Sequence, residues 1–239
     1  MSNVWQPMTS ARANPALSQS PCALVVIGAS GHGKVVAEAA SAAGFSVIGH
    51  LDDVAPTGEP VSGRPRLGSC SALPALAAAN AGLAVVLGIG DNAGRLAVAR
   101  QLAALLPDID FPAIVHPAAS VASSAHLGRG VVILAQAVVN PDATLGDFSL
   151  VNTGAIVEHD CRLGRSASLA PAAAMGGGST LGDGAALMMG ALLRHRTMVG
   201  KHTIVGMGSV VVSDLPPLVV AWGNPARTRH ARTAGDTYF

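Results

Sequence analysis

An aliphatic residue or a methionine occupies every sixth position from Val115 to Val211, and the series neither skips a member nor changes phase. Two residues before each of these positions the side chain is small, with Val131 as the larger exception. A helix cannot use this pattern, because about 3.6 residues per turn would distribute such positions around every face. Glycine recurs every eighteen residues, which groups the hexads in threes, at Gly128, Gly146, Gly164, Gly182 and Gly200.

Three hexads per turn of structure predict a parallel β-helix, a repeat architecture in which each coil stacks on the next. The large residue of each hexad is expected to fill the interior, and the small residue to lie where the chain bends. The run corresponds to a rod of a little over five coils at about 4.8 Å between neighbouring strands. The periodicity alone leaves the hand of the coil open.

The segment before the hexads alternates short apolar runs with helical patterns. This alternation predicts a small, mostly parallel sheet with helices, of the Rossmann-like α/β type. The predicted strands are Ala23–Ile27, Phe45–Gly49 and Ala84–Leu87, and the predicted helices reach about Ala43, run from about Ser71 to Asn80, and reach about Leu106.

These patterns divide the chain into four parts. Residues 1–21 are rich in Ser, Pro and Asn and are predicted to be a flexible tail. Residues 22–112 are the predicted Rossmann-like domain, and residues 113–214 are the predicted β-helix. Two consecutive prolines then end the repeat, because proline cannot continue a ladder of paired strands. Residues 215–239 are therefore predicted to be a C-terminal tail with a frayed polar end.

The overall charge and hydropathy restrict the partners and the location. With 15 basic and 14 acidic side chains, the chain has no bulk positive charge to attract nucleic acid. No apolar run is long enough to cross a bilayer, and the N-terminal residues show no secretory signal. We therefore expect a cytoplasmic protein with no nucleic-acid partner and no membrane partner.

The cysteines and histidines do not form a metal-binding pattern. Cys22, Cys70 and Cys161 are odd in number and widely spaced, which fits neither a disulfide framework nor a zinc motif. No two histidines have the H-x4-H spacing typical of β-helix zinc carbonic anhydrases, and His195 and His202 are separated differently. We predict no metal.

The loop Gly28–Lys34 reads G-A-S-G-H-G-K and lies between the first predicted strand and the first predicted helix. A P-loop requires Ser or Thr where this chain has Val35, and a dinucleotide fingerprint requires glycine where it has Ser30. The broader interpretation is a glycine loop at a helix N-terminus, whose backbone N–H groups face a phosphate or a sugar. A tight turn without a ligand is the alternative.

Polar residues follow the next two predicted strands. Asp52 and Asp53 come after the second strand, and Asn92 and Arg95 come after the third. The carboxyl ends of parallel strands meet at one edge of a sheet, where the ligands of α/β domains bind. We expect the two aspartates to contact a ribose or a base there.

Glu158-His159-Asp160 stands at a predicted corner of the coil, where side chains project outwards. A neutral imidazole is the usual general base near pH 7, and a carboxylate bonded to its second nitrogen fixes the tautomer. Gly177 lies eighteen residues after His159 and His195 thirty-six, so one edge of the coil is predicted to present all three. A base beside a bare backbone amide suits acyl transfer, and a solvated corner histidine is the alternative.

Four stretches of the chain are similar to those of a known family. Its hexads resemble those of the left-handed β-helix acyltransferases. Over roughly residues 23–228 the chain resembles the sugar acetyltransferases of the sialic-acid O-acetyltransferase and bacillosamine-pathway N-acetyltransferase type. The resemblance rests on G-A-S-G-H-G-K at Gly28–Lys34, L-D-D at Leu51–Asp53, G-D-N-x-x-R at Gly90–Arg95 and N-T-G-A-I-V-E-H-D-C at Asn152–Cys161.

The resemblance implies a left-handed β-helix, a homotrimer and acetyl-CoA as co-substrate. It implies that His159 is the base, that Asp160 orients it, and that the N–H of Gly177 binds the thioester oxygen. The implied cofactor contacts are Gly177, Met189, Met207 and Arg227 of the G-N-P-A-R segment. The implied contacts to the nucleotide-linked sugar are Ser30, Gly31, His32, Asp52, Asp53, Asn92 and Arg95.

The predicted function is direct transfer of acetyl from acetyl-CoA to an amino group of a nucleotide-activated amino-sugar. O-acetylation of sialic acid or a related sugar is one alternative, because the same base serves a hydroxyl. A non-catalytic sugar-nucleotide-binding scaffold is another, because many relatives have a second histidine where this chain has Ser168. Relatives also tend to have Pro-Gly where this chain has Arg194-His195-Arg196. These cations are expected to attract CoA phosphates or to tighten a subunit contact.

Overall fold

A computed structural model describes residues 23–237, so the predicted flexible tail, residues 1–21, and Cys22 lie outside the described residues. No helix of the described chain is both long enough and apolar enough to cross a membrane. The helices are α1 (Gly31–Ala42), α2 (Leu73–Ala79) and α3 (Asn92–Leu105). The longer strands are β1 (Ala23–Ile27), β2 (Ser46–Leu51), β3 (Arg66–Gly68), β4 (Ala84–Leu87), β22 (Val219–Gly223) and β23 (Ala226–Ala231).

The hexads form two-residue strands, which are numbered β5 to β21 in chain order. They are β5 (Ile114–Val115), β6 (Ser120–Val121), β7 (His126–Leu127), β8 (Val132–Ile133), β9 (Val138–Val139), β10 (Thr144–Leu145), β11 (Leu150–Val151), β12 (Ile156–Val157), β13 (Arg162–Leu163), β14 (Ser168–Leu169), β15 (Ala174–Met175), β16 (Thr180–Leu181), β17 (Ala186–Leu187), β18 (Leu192–Leu193), β19 (Met198–Val199), β20 (Ile204–Val205) and β21 (Val210–Val211).

The first domain is a parallel sheet with strand order β3-β2-β1-β4. The last four residues of β1 and all of β4 are buried, as expected for short apolar strands covered on both faces. Gly28 follows β1 with φ 107°, and a Cβ there would lie 2.8 Å from the carbonyl oxygen of Gly88. Glycine is therefore required at this turn. Strand β3 was not predicted, because it is short and follows a loop rich in Pro and Gly.

The second domain is a parallel β-helix with three flat faces. Face one contains β5, β8, β11, β14, β17 and β20. Face two contains every third strand from β6 to β21, and face three contains every third strand from β7 to β19. Residues eighteen apart pair in register, as Ile156 with Ala174 and Val157 with Met175. The hexad strands thus stack with the predicted period of eighteen residues per coil.

The second residue of each hexad strand points into the interior. Val157, Leu169 and Met175 are at most 1% exposed, and each such burial contributes about 1.5–3 kcal/mol. The small residues lie at the bends, where Ala155 and Cys161 are fully buried. The predicted division into large interior and small bend positions is confirmed.

Three edges separate the faces, and each is named here after one residue. The Met189 edge joins faces one and two and includes Thr153, Pro171, Met189 and Met207. The His159 edge joins faces two and three and includes Pro141, His159, Gly177 and His195. The Asp183 edge joins faces three and one and includes Asp147, Arg165, Asp183 and Lys201.

The first domain packs on the outside of face one. Val36 and Ala40 of α1 belong to one buried cluster with Val132 and Leu150, the outward residues of β8 and β11. At the Asp183 edge, the ring of Phe148 makes an edge-to-face contact with Phe111 at 5.3 Å between centroids. The first domain therefore covers face one and reaches the Asp183 edge, on the side opposite the His159 edge.

The segment after the hexads is more ordered than predicted. Strand β22 pairs in parallel with β20, Val220 opposite Ile204, and β23 folds back antiparallel on β22. The prediction of a C-terminal tail is wrong for residues 219–231. The prolines interrupt the hexads, but the chain returns to face one after Leu218 and extends that face by two strands.

Candidate functional site

His159 lies in the exposed turn after β12 and is fixed by its neighbour. Its Nδ1 is 2.8 Å from Oδ2 of Asp160, and the two side chains are 62% and 65% exposed. A carboxylate only accepts hydrogen bonds, so Nδ1 of the imidazole donates in this contact. The other nitrogen, Nε2, is then the basic one.

The surroundings of His159 raise its pKa. The hydrogen bond with Asp160 raises the pKa of the imidazole above 6.5, and the charges of Asp160 and Glu158 act in the same direction. The charge of Arg196 lowers it. The imidazole is therefore a stronger base than a free histidine.

Three consecutive glycines form a gap in the His159 edge, one coil beyond the imidazole. We call Gly176, Gly177 and Gly178 the glycine notch. A Cβ on Gly177 would lie 2.5 Å from Nε2 of His159, so the imidazole lies against this glycine. The N–H of Gly178 donates to the carbonyl of His159 at 2.9 Å. The predicted stacking of His159 and Gly177 on one edge is confirmed.

The N–H of Gly177 is available to a ligand. At the same hexad position on the Asp183 edge, the N–H of Arg165 donates to the Asp183 carboxylate at 2.9 Å. No acceptor for the N–H of Gly177 is found within residues 23–237. A hydrogen-bond donor without a partner beside a basic nitrogen matches the needs of acyl transfer.

The coil beyond the glycine notch carries Arg194, His195 and Arg196, all exposed. The stem of Arg196 lies over the notch, because a Cβ on Gly178 would be 3.5 Å from its Cγ. Arg194 makes one long hydrogen bond, at 3.4 Å, to the carbonyl of Val212. The notch therefore has carboxylates and the imidazole on one side and the stem of Arg196 on the other, while the Arg194 guanidinium lies against the following coil at Val212.

The predicted cofactor residues other than Gly177 belong to the Met189 edge or lie directly beyond it. Met189 and Met207 are 53% and 69% exposed, and the N–H of Gly208 donates to the carbonyl of Met189 at 2.9 Å. Arg227 is exposed at the start of β23. Within one chain these residues are separated from His159 by the width of face two.

Trp222 was not predicted and extends the same apolar edge. It is 43% exposed and lies above Gly206, and the guanidinium of Arg229 lies 5.4 Å from its ring centroid. The sequence signal that could have identified Trp222 as part of this edge is its position next to the G-N-P-A-R segment, since the chain has only two tryptophans.

The glycine loop of the first domain is open at its tip. Ser30 and Gly31 are exposed, and a Cβ on Gly31 would meet nothing within 4 Å. His32 is half-buried. Burial, followed by the charge of Arg95, lowers the pKa of His32 from 6.5 to about 4. His32 is therefore neutral at physiological pH and can donate or accept a hydrogen bond.

Asp52 and Asp53 close the other side of this loop. Asp52 accepts hydrogen bonds from the N–H of Ala29 at 2.7 Å and of Val54 at 2.8 Å. Burial alone would raise the pKa of Asp52, but these backbone donors and Arg66 lower it overall. Asp53 is exposed and accepts from the N–H of Cys70 at 2.7 Å. Asp52 thus fixes the shape of the loop as a carboxylate.

Asn92 and Arg95 were predicted to contact the sugar nucleotide, but both side chains are buried. They are 1% and 3% exposed. Arg95 donates to the carbonyl of Phe148 at 2.8 Å, and the Asn92 amide donates to the carbonyl of Ala185 at 3.0 Å. This placement replaces the predicted ligand role with an interdomain one, because both side chains are enclosed between the first domain and the Asp183 edge.

The buried thiol near the site faces the interior. Cys161 is fully buried, and its Sγ donates to the carbonyl of Gly176 at 3.2 Å, beneath the glycine notch. This confirms the predicted inward orientation and makes the thiol unsuited to nucleophilic attack. Within residues 23–237, no three His, Cys, Asp or Glu side chains are grouped so that they could hold a metal ion.

Comparisons with known proteins agree with this arrangement. The family model for the PglD N-terminal domain matches residues 23–102. The structure of PerB from Caulobacter crescentus in complex with CoA and GDP-perosamine is 40% identical, with a TM-score of 0.81, and the alignment covers 87% of this chain and 97% of PerB. No curated protein sequence matches this chain.

Two further structures extend the comparison. The acetyltransferase domain of PglB from Neisseria gonorrhoeae, in complex with acetyl coenzyme A, is 36% identical with a TM-score of 0.81, and the alignment covers 87% of this chain and 100% of that domain. GDP-perosamine N-acetyltransferase from Caulobacter crescentus with one histidine replaced by alanine is 40% identical with a TM-score of 0.82. The alignment covers 87% of this chain and 97% of that enzyme. These matches confirm the predicted family and fold class. The chain therefore belongs to the left-handed β-helix sugar acetyltransferases of the bacillosamine-pathway type.

Proposed function

We propose that this protein transfers the acetyl group of acetyl-CoA to the amino group of a nucleotide-linked amino-sugar, with His159 as general base. The observation that supports this most directly is the basic Nε2 of His159 beside the unpaired N–H of Gly177. CoA and GDP-perosamine are bound together in PerB, and GDP-perosamine N-acetyltransferase is similar to 87% of this chain. Both facts agree with an amine acceptor on a nucleotide-linked sugar.

The proposed chemistry is direct transfer. The amine nitrogen attacks the thioester carbonyl carbon, and Nε2 of His159 accepts the proton that the nitrogen loses. The negative charge that forms on the carbonyl oxygen is stabilised by the N–H of Gly177. The carbon–sulfur bond then breaks, the sulfur leaves with the bonding electrons as thiolate, and the imidazolium returns the proton to it. No enzyme-bound acetyl group is formed.

Asp160 has two effects in this scheme. It fixes the tautomer in which Nε2 is unprotonated, and it stabilises the imidazolium after proton transfer. The neighbouring carboxylate of Glu158 makes this side of the notch acidic, which attracts the ammonium form of an amine acceptor. The acceptor loses that ammonium proton to solvent before it attacks, and the proton that Nε2 accepts is the second one, lost as the amide forms.

The first domain is the proposed site for the nucleotide-linked sugar. The open tip of the glycine loop, Ser30 and Gly31, begins α1, and free N–H groups at a helix N-terminus favour phosphate. His32 is neutral and Asp53 is exposed beside the same loop. These four residues are retained as proposed sugar-nucleotide contacts.

The separation of the edges supports a site shared between chains. The first domain covers face one, whereas His159 lies on the opposite edge of the same coil. The apolar Met189 edge, proposed to bind acetyl-CoA together with Arg227, is again a different edge. A homotrimer of parallel β-helices would place one chain's His159 edge next to a neighbour's Met189 edge and first domain. We therefore propose that the homotrimer is the active form, in the cytoplasm.

The test is thiol release from acetyl-CoA with a panel of acceptors. The panel contains GDP-linked and UDP-linked amino-sugars as amine acceptors and free sialic acid as a hydroxyl acceptor. We expect turnover with an amine acceptor. His159→Ala is expected to lower kcat by roughly 100- to 10,000-fold, the usual contribution of a general base.

His126→Ala is the matched control, because His126 is exposed on face three and lies outside the three edges. Its kcat should equal that of the unaltered protein. Turnover only with sialic acid would replace the amine by a hydroxyl acceptor. Turnover with no acceptor would favour a non-catalytic scaffold, and full activity of His159→Ala would contradict the assigned base.

A further inference from the structure

The guanidinium groups of Arg194 and Arg196 have no anionic partner in the described part of the chain. No carboxylate between residues 23 and 237 lies within ion-pairing distance of either. Arg165, on the Asp183 edge, is by contrast paired with Asp183 at 3.0 Å. Two neighbouring, exposed and unpaired guanidinium groups are a favourable site for a phosphate.

The position of Arg196 relative to His159 restricts which phosphate Arg194 and Arg196 can contact. The coil of Arg196 is two coil spacings, about 10 Å, from that of His159. The stem of Arg196 turns back over Gly178, into the glycine notch, and its charge acts on the imidazole. An anion bound by Arg196 therefore lies close to the reacting atoms.

We propose that Arg194 and Arg196 bind the diphosphate of the nucleotide-linked sugar while its amino group is held at His159. In such a substrate, one pyranose ring separates the diphosphate from the amine. In acetyl-CoA, the whole pantetheine arm separates the phosphates from the thioester. Only the diphosphate of the sugar is close enough to its own reacting atom to reach both sides of the notch.

The charges across the notch match this substrate. Glu158 and Asp160 lie on the side that receives the amine, and the two arginines lie on the side that receives the diphosphate. The glycine loop of a neighbouring chain would contact the same diphosphate from its other side. The inference rests on the proposed function, because it assumes a nucleotide-linked acceptor.

The test compares Michaelis constants for the two substrates. In Arg194→Gln/Arg196→Gln, the KM for the nucleotide-linked amino-sugar should rise by roughly tenfold or more, as expected for the loss of charge-assisted hydrogen bonds to phosphate. The KM for acetyl-CoA should stay within about twofold. Arg194→Lys/Arg196→Lys should recover part of the loss, since lysine keeps the charge but not the paired donors.

A truncated acceptor separates phosphate binding from a general loss of activity. The methyl glycoside of the same amino-sugar has no diphosphate, so the unaltered protein and the Gln double variant should use it equally well. Arg162→Gln is the control, because Arg162 is exposed on face three. It should leave both Michaelis constants unchanged.

Three results would overturn the inference. These are an unchanged KM for the sugar nucleotide, an increased KM for acetyl-CoA alone, and an equal loss of activity with the methyl glycoside. Absence of turnover in the unaltered protein would instead count against the proposed function. In that case, calorimetric titration with GDP and UDP still tests the arginines, which should lower the dissociation constant relative to the Gln double variant.

Discussion

Asp160 determines which nitrogen of His159 is basic and how basic it is. A lone exposed histidine would titrate near 6.5 with either nitrogen protonated. Here the 2.8 Å contact with Asp160 selects Nδ1 as the donor. In the proposed reaction this is a positioning role, since Asp160 would act through the imidazole.

Asp160→Asn is expected to move the acidic limb of the pH profile of kcat/KM to lower pH. The base works when it is neutral, so activity falls as the pH drops through the pKa of His159. Asp160 raises that pKa, and its removal therefore lowers it. The weaker base should also reduce the plateau by roughly tenfold or more. The profile is measured with the amine acceptor and saturating acetyl-CoA.

Glu158→Gln is the matched control for this prediction. It removes a neighbouring negative charge but leaves the hydrogen bond between Asp160 and Nδ1 intact. The acidic limb of its pH profile should therefore also move to lower pH, but by less than in Asp160→Asn. The acceptor amine titrates identically in all three proteins, so differences between their profiles report on the imidazole. A limb that stays in place or moves to higher pH in Asp160→Asn would contradict the assigned role.

At the scale of the element, the Asp183 edge requires glycine every eighteen residues because a Cβ would not fit there, and not because of the backbone angle. A Cβ on Gly146 would lie 2.8 Å from the backbone nitrogen of Arg165 and 2.9 Å from the carbonyl carbon of Gly164. Both are backbone atoms of the next coil, which cannot rotate away as a side chain can. Stacking of the coils at the strand spacing therefore requires glycine at this position.

Gly146→Ala is expected to destabilise the β-helix by about 1–3 kcal/mol through overpacking. The measurement is thermal unfolding at fixed protein concentration, where each kcal/mol lowers Tm by roughly 2–4 °C in a chain of this size. Gly154→Ala is the control. Gly154 has φ 65° and nothing within 4 Å of its Cβ position, and Ala172 adopts φ 58° one coil later. Alanine at this positive φ still costs about 1 kcal/mol, so the loss for Gly146→Ala should exceed that for Gly154→Ala, and an equal loss would contradict the steric explanation.

At the scale of the whole molecule, the first domain and His159 lie on opposite sides of one prism. The α1 helix covers face one, and Arg95 fixes the domain to the Asp183 edge through the carbonyls of Phe148 and Ser166. A sugar nucleotide bound at the first domain of one chain would therefore have to react at the imidazole of another.

Mixed oligomers test this arrangement. His159→Ala removes the base. Gly31→Asp adds a negative charge where the diphosphate is proposed to bind, and an acidic residue in the first turn is compatible with α1. Each variant alone should be inactive. When both chains are co-expressed, about a third of the sites in mixed trimers should combine an intact base with an intact first domain of a neighbour.

Recovered activity in the co-expressed material is measured by thiol release after purification of oligomers that carry two different affinity tags. Oligomers of Gly31→Asp chains alone, prepared in the same way, provide the background rate. Mixed oligomers no more active than that background would place the complete site within one chain and would contradict the shared site.

Much of the second domain could be predicted from the sequence, because each hexad specifies its own interior and bend residues. The stacking of His159 and Gly177 follows from a spacing of eighteen alone. Strand β3 was missed because it is short and follows a loop rich in Pro and Gly, and the hairpin of β22 and β23 was missed because it does not follow the hexad period. Their positions depend on pairing with strands that are distant in the sequence.

The sequence by itself thus determined which residues share the His159 edge, since residues eighteen apart lie at the same corner of successive coils. The tertiary structure alone decided which face the first domain covers and therefore that His159 lies opposite it. It also decided that Arg95 contacts Phe148, 53 residues later, instead of a ligand. Such contacts depend on the packing of two surfaces without any shared repeat, and no periodic pattern in the chain encodes them.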